Sequence, residues 1–280
     1  MKKVQIVTDS TADLPEKLIE EYNIVVVPLK VIFSGKETYR DGVDISTEQF
    51  YRRLVESREA VTTSQPTPGE FASVYASLPS PSVISIHISG AMSGTCQSAG
   101  IARKMVRGAD IEVIDSKSVS MGLGLIVLEA ARAASKGKTK EEILKIIYDL
   151  QARLQVYFIV DSLEYLVRGG RIGMATAFLG TILNIKPLLF LKDGLVQPYE
   201  KIRGRAKAIE RLVQIVEEET AGQRIKCSIV HGMDPAGMEQ ICRKIRPGLN
   251  CAEPVISQLG AVVGTHTGPG VVGIVFAPEG

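Results

Sequence analysis

Apolar residues along the chain fall into short runs rich in β-branched types, separated by stretches with helical spacing. VQIVT (4–8), SVISIHI (82–88) and ADIEVID (109–115) have the length and composition of buried strands. IVVVPLKVIF (24–33) reads as another strand, with Pro28 marking an edge or a bulge. Between these runs, DLPEKLIEEY (13–22), EQFYRRLVES (48–57) and the regions 94–107 and 119–135 carry apolar positions at helical intervals. Three starts have the spacing of a capping box: Asp13 with Glu16, Ser46 with Gln49, and Thr67 with Glu70, the last with Pro68 at the first helical position. The alternation predicts a parallel sheet covered by helices.

The pattern changes after Thr139 and Glu142, which open a helix over 140–154. VYFIVDS (156–162) is strand-like, and helices are expected over 163–170 and 174–184 on either side of a Gly-Gly-Arg turn. KPLLFLKDGLVQPYEKIR (186–203) holds two strand-like runs about Asp193-Gly194, a hairpin signal. A helix (205–219), the strand RIKCSIV (224–230), a further helix and strands near 253–258 and 271–277 complete the chain. A hairpin inside such alternation predicts a mixed or antiparallel sheet. The expectation is an α/β protein with an N-terminal α/β domain over 1–153 and a C-terminal α/β domain over 154–280.

A length of 280 residues fits that two-domain division. Lys and Arg number 33 against 31 Asp and Glu, and no basic run exceeds two residues, so nothing points to nucleic acid. Cys96, Cys227, Cys242 and Cys251 form no CxxC pair and read as reduced packing residues. No secretory pattern and no apolar run approaching 18 residues occurs, which sets the cytoplasm as the expected location. P-loop, HExxH and GxSxG motifs are missing, and no GxGxxG follows a strand. His87, His231 and His266 lie far apart, so no metal site is expected, and His87, mid-strand, reads as a satisfied core histidine.

Polar residues gather where the strands should end: TDST (8–11), SGAMSGT (89–95) and DSKSVSMG (115–122). Ligands of open parallel sheets sit outside the carboxyl ends of the strands, facing helix N-termini. Each turn alone is equally well explained as plain helix capping; three on one rim favour a small-anion site. TTSQP (62–66) adds three hydroxyls. LVRGGRIG (166–173) places Arg168 and Arg171 in an apolar, glycine-rich turn suited to an oxyanion. GTHTGPG (264–270) places His266 in what reads as a loop, able to donate to a carboxylate or to satisfy a backbone carbonyl.

TDSTADLP (8–15), TSQPTPGEF (63–71), SGTCQSA (93–99), DSKSVSMG (115–122), LEYLVRGGRIG (163–173), LNIKPLLFLKDG (183–194), RGRAKA (203–208) and THTGPGVVG (265–273), in this order, resemble the DegV family. The resemblance implies a two-domain bacterial lipid-binding protein of phospholipid metabolism that holds a long-chain fatty acid and presents it to an ATP-binding fatty acid kinase subunit. It implies no catalytic residues and no cofactor beyond the bound fatty acid, and it leaves room for transient membrane contact. By the same resemblance the carboxylate meets Thr63, Ser93, Gly94 and His266, and Arg171 belongs to the head-group network or to phosphoryl transfer with the kinase. The stretch 174–191 is a candidate lining for the acyl tail, as against plain core. Cys96 stands where the family often has an aromatic residue, and Ser89-Gly90-Ala91-Met92 replaces a more serine-rich form. The competing expectation is an enzyme for a small anionic metabolite, with Ser93 or Asp9 reactive and His266 as acid or base.

Overall fold

The computed structural model describes residues 4–56, 59–80, 82–180, 184–251 and 253–279. The chain forms two compact units, Met1–Ala152 with Gly260–Val262, and Arg153–Leu259 with Val263–Gly280. Among the described residues no helix is long and apolar enough to cross a membrane.

The first unit contains strands β1 (Gln5–Asp9), β2 (Val25–Val27), β3 (Lys30–Phe33), β4 (Glu37–Arg40), β5 (Val61–Ser64), β6 (Ser82–His87) and β7 (Asp110–Asp115). Its helices are α1 (Glu16–Glu21), α2 (Thr47–Glu56), α3 (Pro68–Ser77), α4 (Thr95–Met105), α5 (Met121–Ser135) and α6 (Lys140–Arg153), the last ending at the boundary. Strands in the order β2-β1-β6-β7 make the expected parallel sheet. Every residue of β1 and β6 is buried, as central strands covered on both faces require. Val7, Val83 and Ile111 pack on Phe71 and Tyr75 of α3 and on Ala99 and Ala102 of α4. The other face meets α5, whose apolar sequence is buried almost throughout.

IVVVPLKVIF is two strands, not one. Pro28 lacks an N–H and ends the ladder of β2, and β3 then joins an antiparallel sheet of order β4-β3-β5. Asp13 does not cap α1, whose N-cap, Pro15, makes no side-chain bond. The Asp13 carboxylate accepts from the N–H of Gly260 (2.9 Å) instead, and Asp41 accepts from the N–H of Ala261 (3.0 Å). Burial pushes both carboxyls up, Asp13 well above the usual range, against the opposing pull of Ser120 and Gly260 at Asp13 and of Ala261 and Ser10 at Asp41. The other two capping boxes of this half form as spaced: Thr67 with Glu70, and Ser46 with Gln49.

The second unit contains β8 (Gln155–Ile159), β9 (Ile185–Lys192), β10 (Leu195–Arg203), β11 (Ile225–Gly232), β12 (Val255–Gln258) and β13 (Val271–Pro278) in one mixed sheet, order β10-β9-β8-β13-β11-β12. All pairs are antiparallel except β11 with β12. Asp193 and Gly194 both have positive φ, 51° and 78°, and turn β9 into β10. One face packs Tyr157, Leu188, Ile229 and Ile274 on Ile209, Leu212 and Val216 of α8 (Arg205–Thr220) and Ile241 of α9 (Pro235–Gly248), where helix α7 (Glu164–Arg168) has preceded them in the chain. Over 174–184 the expected helix is a 3-10 stretch, Gly173–Phe178, after which Leu179 turns extended; 181–183 lie outside the described residues. α10 (Ala261–Thr267) occupies the segment expected to be a loop, so His266 is helical. The glycine and threonines lower its helix propensity, but Asp41 caps its start and Gly268, at φ 74°, ends it.

Candidate functional site

Three polar turns follow β1, β6 and β7, and hydrogen bonds join them. The Ser89 N–H donates to the Ser118 carbonyl (2.8 Å), the Gly90 N–H to Asp115 Oδ2 (3.1 Å) and the Ser120 N–H to the Thr11 carbonyl (2.8 Å). Residues 89–93 make one tight turn, with the Met92 and Ser93 N–H groups on the Ser89 carbonyl. Ser93 Oγ accepts from the Thr95 N–H (3.3 Å) and lies 2.8 Å from the Thr95 hydroxyl. The N-cap of α4, Gly94, brings no side chain to the first N–H groups. A Cβ there would overlap Gln65, whose amide donates to Ser98 Oγ (3.2 Å). Gln65 thus seats the TSQP segment against the SGT turn. Thr63, two residues before it, is half-buried on β5 opposite Val31. Hydroxyls, a helix N-terminus capped only by Ser93 Oγ and a close backbone approach suit an anion.

Asp9 is not placed to react. Its carboxylate accepts from the Thr11 N–H (3.0 Å), the Thr11 hydroxyl, the Ile88 N–H (3.1 Å) and His87 Nδ1 (2.9 Å), and it is fully buried. On its other side His87 Nε2 lies 2.7 Å from Ser85 Oγ, which accepts from the Tyr75 hydroxyl (2.8 Å). An acceptor at Asp9 and a donor at Tyr75 assign the chain Tyr75 to Ser85 to His87 to Asp9. The Ser-His-Asp connectivity of a hydrolase is present, yet all three side chains are fully buried within the sheet. His87 is the satisfied core histidine its position suggested. Cys96, on the first turn of α4, is pushed up to about 11 by burial and by the charges of Asp115 and Asp9, so its thiol stays protonated at neutral pH.

The second unit brings together Gly169, Arg171 and His266. A Cβ at Gly169 would overlap the His266 imidazole, and one at Gly268 would overlap the Tyr165 ring. Arg171 donates to the Gly169 carbonyl (2.7 Å). Arg168 instead pairs with Glu164 (2.6 Å) one turn away and lies over Tyr165. Burial, and then the Arg171 charge, lower His266 to about 4. The imidazole is neutral at pH 7 and offers an uncharged donor. Between about pH 6.5 and 4 the unfolded chain takes up this proton before the folded one, so stability falls on acidification, by on the order of 3 kcal/mol in full. The expected result in an NMR titration is a His266 midpoint near 4 that moves up in Arg171→Ala. A midpoint at 6.5 or above would show that the ring is solvated. A groove of about 570 Å³ also opens on this unit, lined by Leu163, Val167, Leu179, Ile185 and Pro187 with Asp161 and Arg168 among its polar residues.

The family model described as "uncharacterised protein, DegV family" matches residues 3–279. The chain belongs to the DegV family. A DegV domain-containing protein of Caldanaerobacter subterraneus subsp. tengcongensis is 40% identical, over 99% of both chains. The structure described as fatty acid binding of a DegV family protein from Thermus thermophilus superposes with a TM-score of 0.92 at 39% identity, covering 100% of both chains. The structure of DegV, a fatty acid binding protein from Bacillus subtilis, gives 0.90 at 34% identity, again over 100% of both.

In this DegV-family chain Gly94 lies against Gln65, with Thr63 two residues before Gln65 on β5 and Ser93 bonded to Thr95 in the turn, and Arg171 and His266 both meet Gly169. Gln65 was overlooked because an exposed amide between hydroxyls and a proline carries no periodic signal. Gly169 was visible only as half of a turn; its contact is with a residue almost a hundred positions later.

Proposed function

We propose that this chain binds a long-chain fatty acid and presents it, as the non-catalytic subunit, to an ATP-binding fatty acid kinase in the cytoplasm. The likeness to the fatty-acid-binding Thermus thermophilus structure, full-length at 39% identity, carries this reading. The Thr63 and Ser93 hydroxyls and the backbone at Gly94 receive the carboxylate. Neutral donors suit this task, since they offset its desolvation and orient it. His266 supplies a further uncharged N–H to an anionic head group, and Arg171 beside it the positive charge that phosphoryl transfer requires. For the tail we assign the apolar stretch 174–191, of which Leu179, Ile185 and Pro187 line the groove. About 15 buried methylenes contribute roughly 12 kcal/mol gross, from which ordering and association remove several. Loading so apolar a ligand involves transient contact with a membrane.

Native mass spectrometry of the purified protein is the direct test, with an adduct of long-chain fatty acid mass as the expected result. Protein that carries none, and takes up none on addition, overturns the proposal. In a reconstituted kinase assay Arg171→Ala lowers acyl-phosphate formation about tenfold, the equivalent of 1.4 kcal/mol in the barrier, while fatty acid retention stays near that of the parent. An unchanged rate removes Arg171 from the reaction.

A further inference from the structure

Three of the four cysteines lie in the second unit, and two of them touch. Cys227 is on β11 and faces the core under α8 and α9, 4% exposed. Residue 251 returns beside that strand: the Ile225 N–H donates to the Asn250 carbonyl (2.9 Å), and Ile225 pairs with Cys251 in an isolated parallel bridge. Side chains two apart on a strand share a face, so Cys227 projects from β11 on the same face as Ile225, the residue beside Cys251. Cys251 packs on the same core cluster, and its thiol and that of Cys227 form a hydrogen-bonded pair. Cys251 is half-buried and Cys227 buried, so only one of the pair meets solvent. Cys242, on α9, approaches Met238 Sδ (3.6 Å). No metal-binding group of three or more ligands occurs among the described residues, so the thiols do not read as a metal cluster.

We propose that Cys251 and Cys227 form a peroxide-responsive thiol pair, with Cys251 as the site of first oxidation and Cys227 as its resolving partner. The hydrogen bond the two thiols share lowers the Cys251 thiol, while the same bond and burial raise that of Cys227. An accessible sulfur favoured as thiolate beside a buried thiol is the arrangement that peroxide-sensing cysteines use. The Cys251 sulfur attacks hydrogen peroxide, the O–O bond breaks, and Cys251 sulfenic acid and one water form. The Cys227 thiol then attacks that sulfur, its proton leaves with the hydroxide as a second water, and the disulfide closes. The two thiols lose two electrons and the peroxide gains them. The bond ties the segment after α9 to β11 and restricts the unfolded chain.

The test treats the full-length protein with hydrogen peroxide, alkylates the remaining thiols, and maps unreduced peptides by mass spectrometry. A Cys227–Cys251 linked peptide is expected, removed by dithiothreitol, together with an upward shift of the thermal midpoint in the oxidised protein. In Cys227→Ala, Cys251 lacks a resolving partner and runs on to sulfinic acid. In Cys251→Ser, a change at the half-buried position, no link forms and Cys227 is alkylated only after denaturation. Wild-type Cys251 reaching sulfinic acid as fast as in Cys227→Ala overturns the pairing. So does a link to Cys242, or retention of both thiols under peroxide.

Discussion

Replacing Thr63 and Ser93 together by alanine weakens binding of a long-chain fatty acid by about 100-fold or more. Each hydrogen bond to a charged group contributes roughly 1.5–3 kcal/mol, and a tenfold change in affinity is about 1.4 kcal/mol. The lower end applies because the backbone N–H groups near Gly94 survive both changes. The tail still contributes its burial, so some binding remains and the loss falls on head-group selectivity. A fatty alcohol of the same length therefore binds the variant and the parent within a fewfold. The structural cost is small: Ser93 Oγ accepts one N–H, from Thr95, the kind of local cap whose removal costs about 1 kcal/mol. Isothermal titration with fatty acid and alcohol, beside a thermal melt, separates the effects. Equal fatty acid affinity in the folded double variant sinks the assignment of these two hydroxyls.

Gly268→Ala destabilises the protein by about 2–5 kcal/mol. The backbone there has φ 74°, a conformation that costs an L-residue about 1–2 kcal/mol. The added methyl also overlaps the Tyr165 ring at three carbons, and overpacking of this kind costs about 1–3 kcal/mol. The two causes separate in a double-mutant cycle with Tyr165→Ala. Without the ring, Gly268→Ala retains only its backbone cost, so the cycle closes with a coupling of about 1–3 kcal/mol. Denaturant unfolding of the four proteins measures it. Strict additivity would mean that ring and loop are not in contact.

What was legible in the sequence was local. Ser46 with Gln49, Thr67 with Glu70 and Thr139 with Glu142 all make the bonds their spacing predicts, because each box closes within one helical turn. The hairpin at Asp193-Gly194 and the rim of turns after β1, β6 and β7 were readable for the same reason: turn chemistry and strand ends are written in a few consecutive residues. Asp13 was misassigned because its local alternative, Glu16 three positions on, was outcompeted by an N–H 247 positions away. Asp41 gave no signal, and α10 looked like a loop for want of that distant cap. The antiparallel sheet around β3 was missed because an apolar run does not show where its partner changes. Of the candidate site, the residue types were visible, while the contacts that seat them, Gln65 on Gly94 and Gly169 on His266, are tertiary.

The bonds from Gly260 and Ala261 to Asp13 and Asp41 also set an order of events during synthesis. Asp13 and Asp41 leave the ribosome 247 and 220 residues before the two N–H groups that satisfy them. A nascent chain that has reached residue 152 can pair its parallel sheet but holds two buried carboxylates lacking those donors. Such an intermediate relaxes by admitting water or protons there, and it is held open to chaperones and proteases until the segment carrying His266 is made. The first unit is thus completed by the stretch of chain that brings in His266, and a product truncated before residue 260 carries its defect in the half that was already finished.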